Sequence, residues 1–251
     1  YGGGTWIIGK NLIVGTNSTS ADASATVVLK ASTNSNNVIL NVKGNVVNLS
    51  NNTLNLSNST TNSLTLNMEG DLEIGANAKL LSVASSNPAF NFAGNGNGST
   101  DATTQTINVV NASTANNIAF NTNSGSYVKL INQNFVLGSG SKLTVENGSI
   151  FDFGLNGSTA LNIQGPSFES KATGTVKITA LDGISSEGSA TGNVRTTARI
   201  YGTSNYQYVG VANQITGTGL PTSGAKITSA NTGTAPTNEV LLTNSTTSVT
   251  A

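Results

Sequence analysis

The chain has 251 residues with eleven cationic and eleven acidic side chains, a formal net charge of zero and no run of either sign. Charged residues are 9% of the total, against about 25% in ordinary domains, which argues against nucleic acid or an anionic membrane as the main partner, since both require clustered Lys and Arg. Neither Cys nor His occurs, which removes disulfides, thiol nucleophiles, His-based triads and the usual zinc ligands together.

The apolar set reaches 36% and the 28 glycines lift it to about 47%, inside the normal range for a chain with a core. The surface is therefore covered mainly by Asn, Thr, Ser and Gly. No continuous apolar run reaches the ~18 residues of a membrane span. The opening YGGGTWIIGKN lacks a basic region, an apolar stretch and a cleavage site. The chain reads as a piece of something longer, beginning in one strand and stopping in VLLTNSTTSVTA.

From the N-terminus onward, short alternating runs succeed one another. They are TVVLKA (26–31), VILNVKG (38–44), SLTLNMEG (63–70), DLEIG (71–75), FNFAG (90–94), TINVVN (106–111), YVKLIN (127–132), KLTVENG (142–148), IFDFG (150–154), ALNIQG (160–165) and TVKITA (175–180). Most of them end in or beside Gly, Asn or Ser, the usual punctuation of strands. No stretch carries an i, i+3, i+4 apolar stripe, and strong helix formers are scarce.

Recurring motifs separate a solenoid from a β-sandwich or a tandem of small β-domains, which the strand spacing alone also fits. L-N-apolar-polar-Gly occurs at 40–44, 66–70 and 161–165. GANAKL (75–80) returns as GSGSKL (138–143), and FNFAG (90–94) as FDFGLNG (151–157), at nearly one offset. A period in the twenties holding two or three strands is the signature of stacked coils. In L-N-x-x-G the Leu and the apolar residue two places on share a face. That face points inward, and the Asn points outward or, in a corner, forms an amide ladder with the coils above and below. The Gly is expected to turn the corner with positive φ. At about 24 residues per coil the chain makes about ten coils.

Three segments follow: a regular β-helix over 1–166; a less regular β segment over 167–224, read as longer strands, a projecting hairpin or loop subdomain, or a link; and a turn-rich continuation over 225–251. AGNGNGSTDATTQ (93–105) is expected to loop out from a corner.

The L-N-x-x-G corners, the strand–turn–strand IGANAKL and the Asn/Thr/Ser richness without Cys resemble the passenger region of a Gram-negative autotransporter, a type V secreted protein. The flavour is that of the Asn-rich Helicobacter and Campylobacter passengers, with the vacuolating cytotoxin passenger as a distant relative. The resemblance covers most of 1–165. It implies a right-handed parallel β-helix, extracellular or held at the outer-membrane surface. It carries no site residues over.

Candidate chemistry is sparse. Asp71 and Glu73 share a strand, which is more often a solvated face than a calcium site. Ser141 precedes Lys142, but adjacent strand residues face apart, so no Ser–Lys dyad is expected. Glu146 and Asp152 are the one carboxylate pair that stacking could bring close for glycan cleavage. GNGNG (94–98) and GSGSK (138–142) precede no helix, so they read as corners rather than phosphate loops. No catalytic, cofactor or metal residue is assigned. Trp6 is expected in the core.

One cluster stands out as a partner contact: Arg195, Arg199, Tyr201, Tyr206 and Tyr208 supply residue types enriched in binding hot spots. The plainer reading is that these aromatics pack inside the coil. The expected function is a non-catalytic surface module acting in adhesion, its partner a host receptor or glycan, or another copy of itself. The alternatives are a toxin passenger that oligomerises on host membranes, or a glycan-active enzyme on the same scaffold.

Overall fold

The computed structural model describes residues 4–15, 24–29, 37–60, 64–83, 87–94, 104–110, 114–221 and 226–243. Most of the 93–105 stretch expected to loop out lies outside them. Among the described residues every regular element is a strand. The strands are short because each is one side of a coil. Gly, Asn and Ser at the ends bend the chain before a longer strand can form.

The fold is a parallel β-helix with three stacked faces. The first sheet runs through Gly4–Ile8, Val38–Val42, Leu64–Met68, Ala89–Phe92, Ala119–Thr122, Lys142–Val145, Ile163–Ser170 and Val194–Tyr201. The second runs from Leu12–Val14 through Val46–Asn48, Leu72–Ile74, Gln105–Val109, Tyr127–Ile131, Ile150–Asp152, Thr175–Ile178 and Asn205–Tyr208 to Lys226–Ser229. The third stacks Thr26–Val28, Thr53–Asn55, Lys79–Leu81 and Thr114–Ala115, and a bridge from Ala115 to Leu137 extends it by a coil. Neighbouring coils pair in parallel throughout. Among the described residues the one antiparallel pair is a small hairpin, Leu155–Asn156 against Thr159–Ala160.

Among the described residues the second sheet contributes nine strands, one per coil, a stack about 40 Å long at the usual strand spacing. The expectation was about ten coils. The difference comes from the corners, whose loops stretch successive coils unequally: equivalent residues are 26 apart from Asn41 to Asn67, 24 from Asn67 to Asn91 and 30 from Asn91 to Asn121.

Strand alternation drives the core. Leu40, Leu66, Phe90, Phe120, Leu143 and Phe168 form one inward column of the first sheet, all of them buried. Phe90 and Phe120 lie 5.5 Å apart between ring centroids, and Phe120 meets Phe135 edge-on at 5.1 Å. Stacking like residues at each rung gives ring contacts beyond simple area burial.

The residues between them build the outer side. Asn67 Nδ2 donates to Asn41 Oδ1 at 2.8 Å, Asn91 to Asn67 at 2.8 Å and Asn121 to Asn91 at 2.9 Å. The Asn of the motif thus points outward and forms an amide ladder along the strand face, not in a corner where the ladder was expected. It is bounded by Ile7 on one side and by Thr144 on the other.

The corner glycines have a different reason from the one expected. Neither Gly44 nor Gly70 has left-handed backbone. A Cβ on Gly44 would lie 2.2 Å from Asn11 Oδ1, and one on Gly70 2.3 Å from Asn45 Oδ1. Those oxygens are occupied: Asn11 Oδ1 accepts from Asn45 N, Asn45 Oδ1 from Asp71 N and Asp71 Oδ1 from Thr106 N. Each corner thus hands a side-chain acceptor to the next coil, and glycine leaves room for it. Left-handed backbone occurs at other corners, supplied by Asn at Asn51, Asn77 and Asn132 and by glycine at Gly140 and Gly148.

The recurring motifs are not all equivalent in space. LNVKG and LNMEG align residue for residue. LNIQG does not: Phe168, not Leu161, continues their leucine column, and its Gly165 does have positive φ, 114°. GANAKL ends in the third sheet and GSGSKL in the first. FNFAG lies in the first sheet and FDFGLNG begins in the second. Each pair is separated by two coils plus one face, so the shared offset marks a recurrence of local chemistry rather than of register.

Trp6 is 65% exposed, contrary to the expectation of a core residue. It occupies the inward column opposite Leu40, but among the described residues no coil stacks on its other side.

Candidate functional site

A cleft of about 610 Å³ opens where the second face turns into the third. Successive coils contribute its walls: Val109, Val110 and Thr114 from one, Asn132, Gln133, Asn134 and Val136 from the next, and Asn156, Thr159, Leu161 and Gln164 from the last. The hairpin turns through Gly157 and Ser158, with Gly157 at φ 58°, which matches the positive φ that two-residue hairpin turns require.

Four amides in this lining are each anchored by one end. Asn132 Nδ2 donates to Val109 O at 3.2 Å and to Asn108 Oδ1 at 3.3 Å. Asn156 Nδ2 donates to Asn132 O at 2.8 Å, tying the hairpin to the coil below. Asn134 Oδ1 accepts from Asn162 N at 3.0 Å. Gln164 Nε2 donates to Asn162 Oδ1 at 2.8 Å. Backbone partners fix which end of Asn132, Asn134 and Asn156 is which, because a carbonyl only accepts and an N–H only donates. No lining side chain among the described residues is ionisable. Sequence reasoning passed over these residues, because N-Q-N in an Asn-rich chain carries no signal. The Asn156-Gly157 pair was the one legible cue, as a hairpin turn.

The predicted contact cluster lies elsewhere, and most of it faces inward. Tyr206 and Tyr208 are fully buried, Tyr206 stacked on Val176 and Tyr208 on Ile178 in the second sheet. They therefore present no surface to a partner. Their hydroxyls are satisfied internally, Tyr206 with Ser170 Oγ at 3.1 Å and Tyr208 donating to Thr216 O at 2.7 Å. Tyr201 packs against Phe168 and edge-on against Tyr206. Burial pushes all three phenols above their ordinary value. The plainer reading, aromatics packed inside the coil, describes these residues.

Arg199 follows Phe168 in the inward column. Its Nε donates to Thr196 O at 3.0 Å and its Nη1 to Ser185 O. Its Nη2 and the Tyr201 hydroxyl are both buried without a hydrogen bond of good geometry, although the guanidinium is near enough to oppose the burial that raises the phenol. Arg195 stands apart on the strand, its Nε donating to Gly192 O at 3.0 Å.

Asp152 and Glu146 stand on different faces of the coil. Asp152 Oδ2 accepts from the Tyr127 hydroxyl at 2.7 Å and its Oδ1 from Gly154 N at 2.8 Å. Lys177 Nζ donates to that same hydroxyl at 3.0 Å and lies 4.5 Å from the Tyr127 ring centroid. In register, Asp152 sits between Lys129 and Lys177. Glu146 is on the other sheet's corner, near Lys171. Ser141 is a buried structural hydroxyl that donates to Ala115 O at 2.9 Å and accepts from Ile118 N at 3.0 Å. Lys142 instead pairs with Glu169 at 3.5 Å. Among the described residues no group of three or more acids is placed to hold a metal ion.

No protein-family model matches the sequence, and no curated protein and no solved structure is similar enough to count as a match.

Proposed function

We propose that the chain is a non-catalytic β-helical module of a secreted, surface-displayed passenger of the autotransporter type, acting in adhesion to host cells or surfaces. The observation that carries this reading is the cleft: amides, hydroxyls and aliphatic side chains line it, and among the described residues no ionisable group does. Amides neither give nor take protons near neutral pH, so such a lining suits holding a ligand rather than general acid–base chemistry. The stacked coils support the reading further, because backbone ladders on each side fix the wall residues before any ligand arrives.

The test is binding of the labelled, purified chain to cultured host epithelial cells. Saturable binding that excess unlabelled chain displaces is expected. Absence of saturable binding, or release of reducing ends from polysaccharides incubated with the chain, would overturn the reading.

A further inference from the structure

We infer that the cleft takes a neutral, hydroxyl-rich ligand, a short glycan of uncharged sugars, and discriminates against acidic glycans. The inference rests on the adhesion reading and names its ligand class.

What the anchored lining has left to offer sets the ligand class. Anchoring engages the Asn132 NH₂ group twice, through Val109 O and Asn108 Oδ1, but the NH₂ groups of Asn156 and Gln164 only once each, so each of those two keeps a second N–H. Three carbonyl oxygens remain: Asn132 Oδ1, Asn156 Oδ1 and Gln164 Oε1. Only Asn134 is held the other way, through its oxygen, which leaves its NH₂ group spare. The anchored amides therefore present three carbonyl acceptors beside N–H donors on Asn134, Asn156 and Gln164. An anionic ligand brings acceptors only, and would meet carbonyl dipoles with no cation among the described lining residues to offset them. A sugar hydroxyl donates as well as accepts, so vicinal hydroxyls can donate to the carbonyls and accept from Asn134. Among the described residues the Gln133 side chain and the Thr159 hydroxyl have no hydrogen-bond partner, and they add adjustable contacts of both kinds. Val109, Val136 and Leu161 supply an apolar patch for the C–H face of a pyranose ring. The volume of about 610 Å³ falls within the range of small-molecule sites, about 300–1,000 Å³, enough for a few sugar units.

The test is a printed array of neutral hexose and N-acetylhexosamine oligosaccharides beside sialylated and sulfated versions of the same chains, probed with the intact chain. Val136→Trp fills the cleft from an exposed position. The double variant Gln133→Ala, Thr159→Ala removes only side chains without a hydrogen-bond partner among the described residues, so it keeps the test valid if the Trp variant misfolds. Binding to neutral members, reduced at least tenfold by either variant at an unchanged unfolding midpoint, is expected. Preference for the acidic members, no glycan binding at all, or neutral binding that both folded variants retain would overturn the inference. Cell binding measured on the same variants separates the two readings. Cells still bound while no neutral glycan is bound removes the ligand class and leaves adhesion standing. Neutral glycans bound while cells are not removes adhesion alone.

Discussion

Asn67 sits between Asn41 and Asn91 as donor to one and acceptor from the other, both across 2.8 Å. Its side chain thus closes two hydrogen bonds that tie three coils together on the outer side of the first sheet. Asn67→Ala is expected to cost about 1–3 kcal/mol, since removing it breaks two half-buried bonds and strands both partners. Asn121→Ala, which breaks one, is expected to cost about half as much. Urea denaturation measures both, and equal costs would show that the ladder does not act as a chain.

The corner glycines give a graded series. Gly70→Ala would place Cβ 2.3 Å from Asn45 Oδ1 and 2.6 Å from the Gly44 carbonyl carbon, so the corner must shift; a loss of about 2–3 kcal/mol is expected. Gly157→Ala meets no neighbour but keeps a φ of 58°, and is expected to cost about 1 kcal/mol. Gly9 has open space and no positive φ, so Gly9→Ala is expected to be nearly neutral. Any other order would show that steric room is not what places glycine at the first corner.

Tyr206 is a core residue, and its substitutions are expected to behave accordingly. Tyr206→Phe removes only the bond to Ser170 and is expected to cost about 1 kcal/mol. Tyr206→Ala leaves a cavity between coils and is expected to cost about 3–5 kcal/mol. Near-ultraviolet circular dichroism and chemical denaturation follow both. A Tyr206→Ala variant as stable as the parent would put the ring at the surface.

Stability is expected to depend on pH at both extremes and to be flat between about pH 5 and about pH 8, because the chain has no His or Cys to titrate there. Glu169 is held below its ordinary value mainly by its hydrogen bond to Lys171, with Lys142 adding to the effect. Its contribution is full above the unfolded carboxyl value and disappears as pH falls through the lowered folded value. With Lys142 and Lys171 41% and 38% exposed, solvent screening keeps it below about 1 kcal/mol. Glu169→Gln should remove that part of the acid limb.

On the alkaline side the sign reverses. Tyr127, Tyr201, Tyr206 and Tyr208 are all raised above 10.0, chiefly by burial. Their contribution is complete below that value and is lost as pH climbs past it, because the unfolded chain releases phenolic protons that the folded chain retains. Lys171, raised above 10.5 by Glu169, acts in the same direction. Tyrosinate absorbance should therefore rise together with unfolding. A smooth titration of these phenols in the folded chain would overturn the burial argument.

The strands, their parallel stacking and the outward-facing Asn of the motif were legible in the residue order, because alternation of apolar and polar residues states which side chains share a face. LNVKG and LNMEG even gave the register of two neighbouring coils. Alternation does not state how many residues a corner absorbs. Coils of unequal length moved LNIQG off the leucine column, and placed the second copies of the other two motifs one face further round. The same freedom turned Tyr206 and Tyr208 inward, onto Val176 and Ile178, where composition alone suggested a binding surface. The cleft depended most on tertiary structure: Val109, Asn132 and Asn156 belong to different coils, and only the stacking distance between rungs brings their spare oxygens and aliphatic groups around one space. Local chemistry was written in the chain; which residues became neighbours was decided by the lengths of the corners between them.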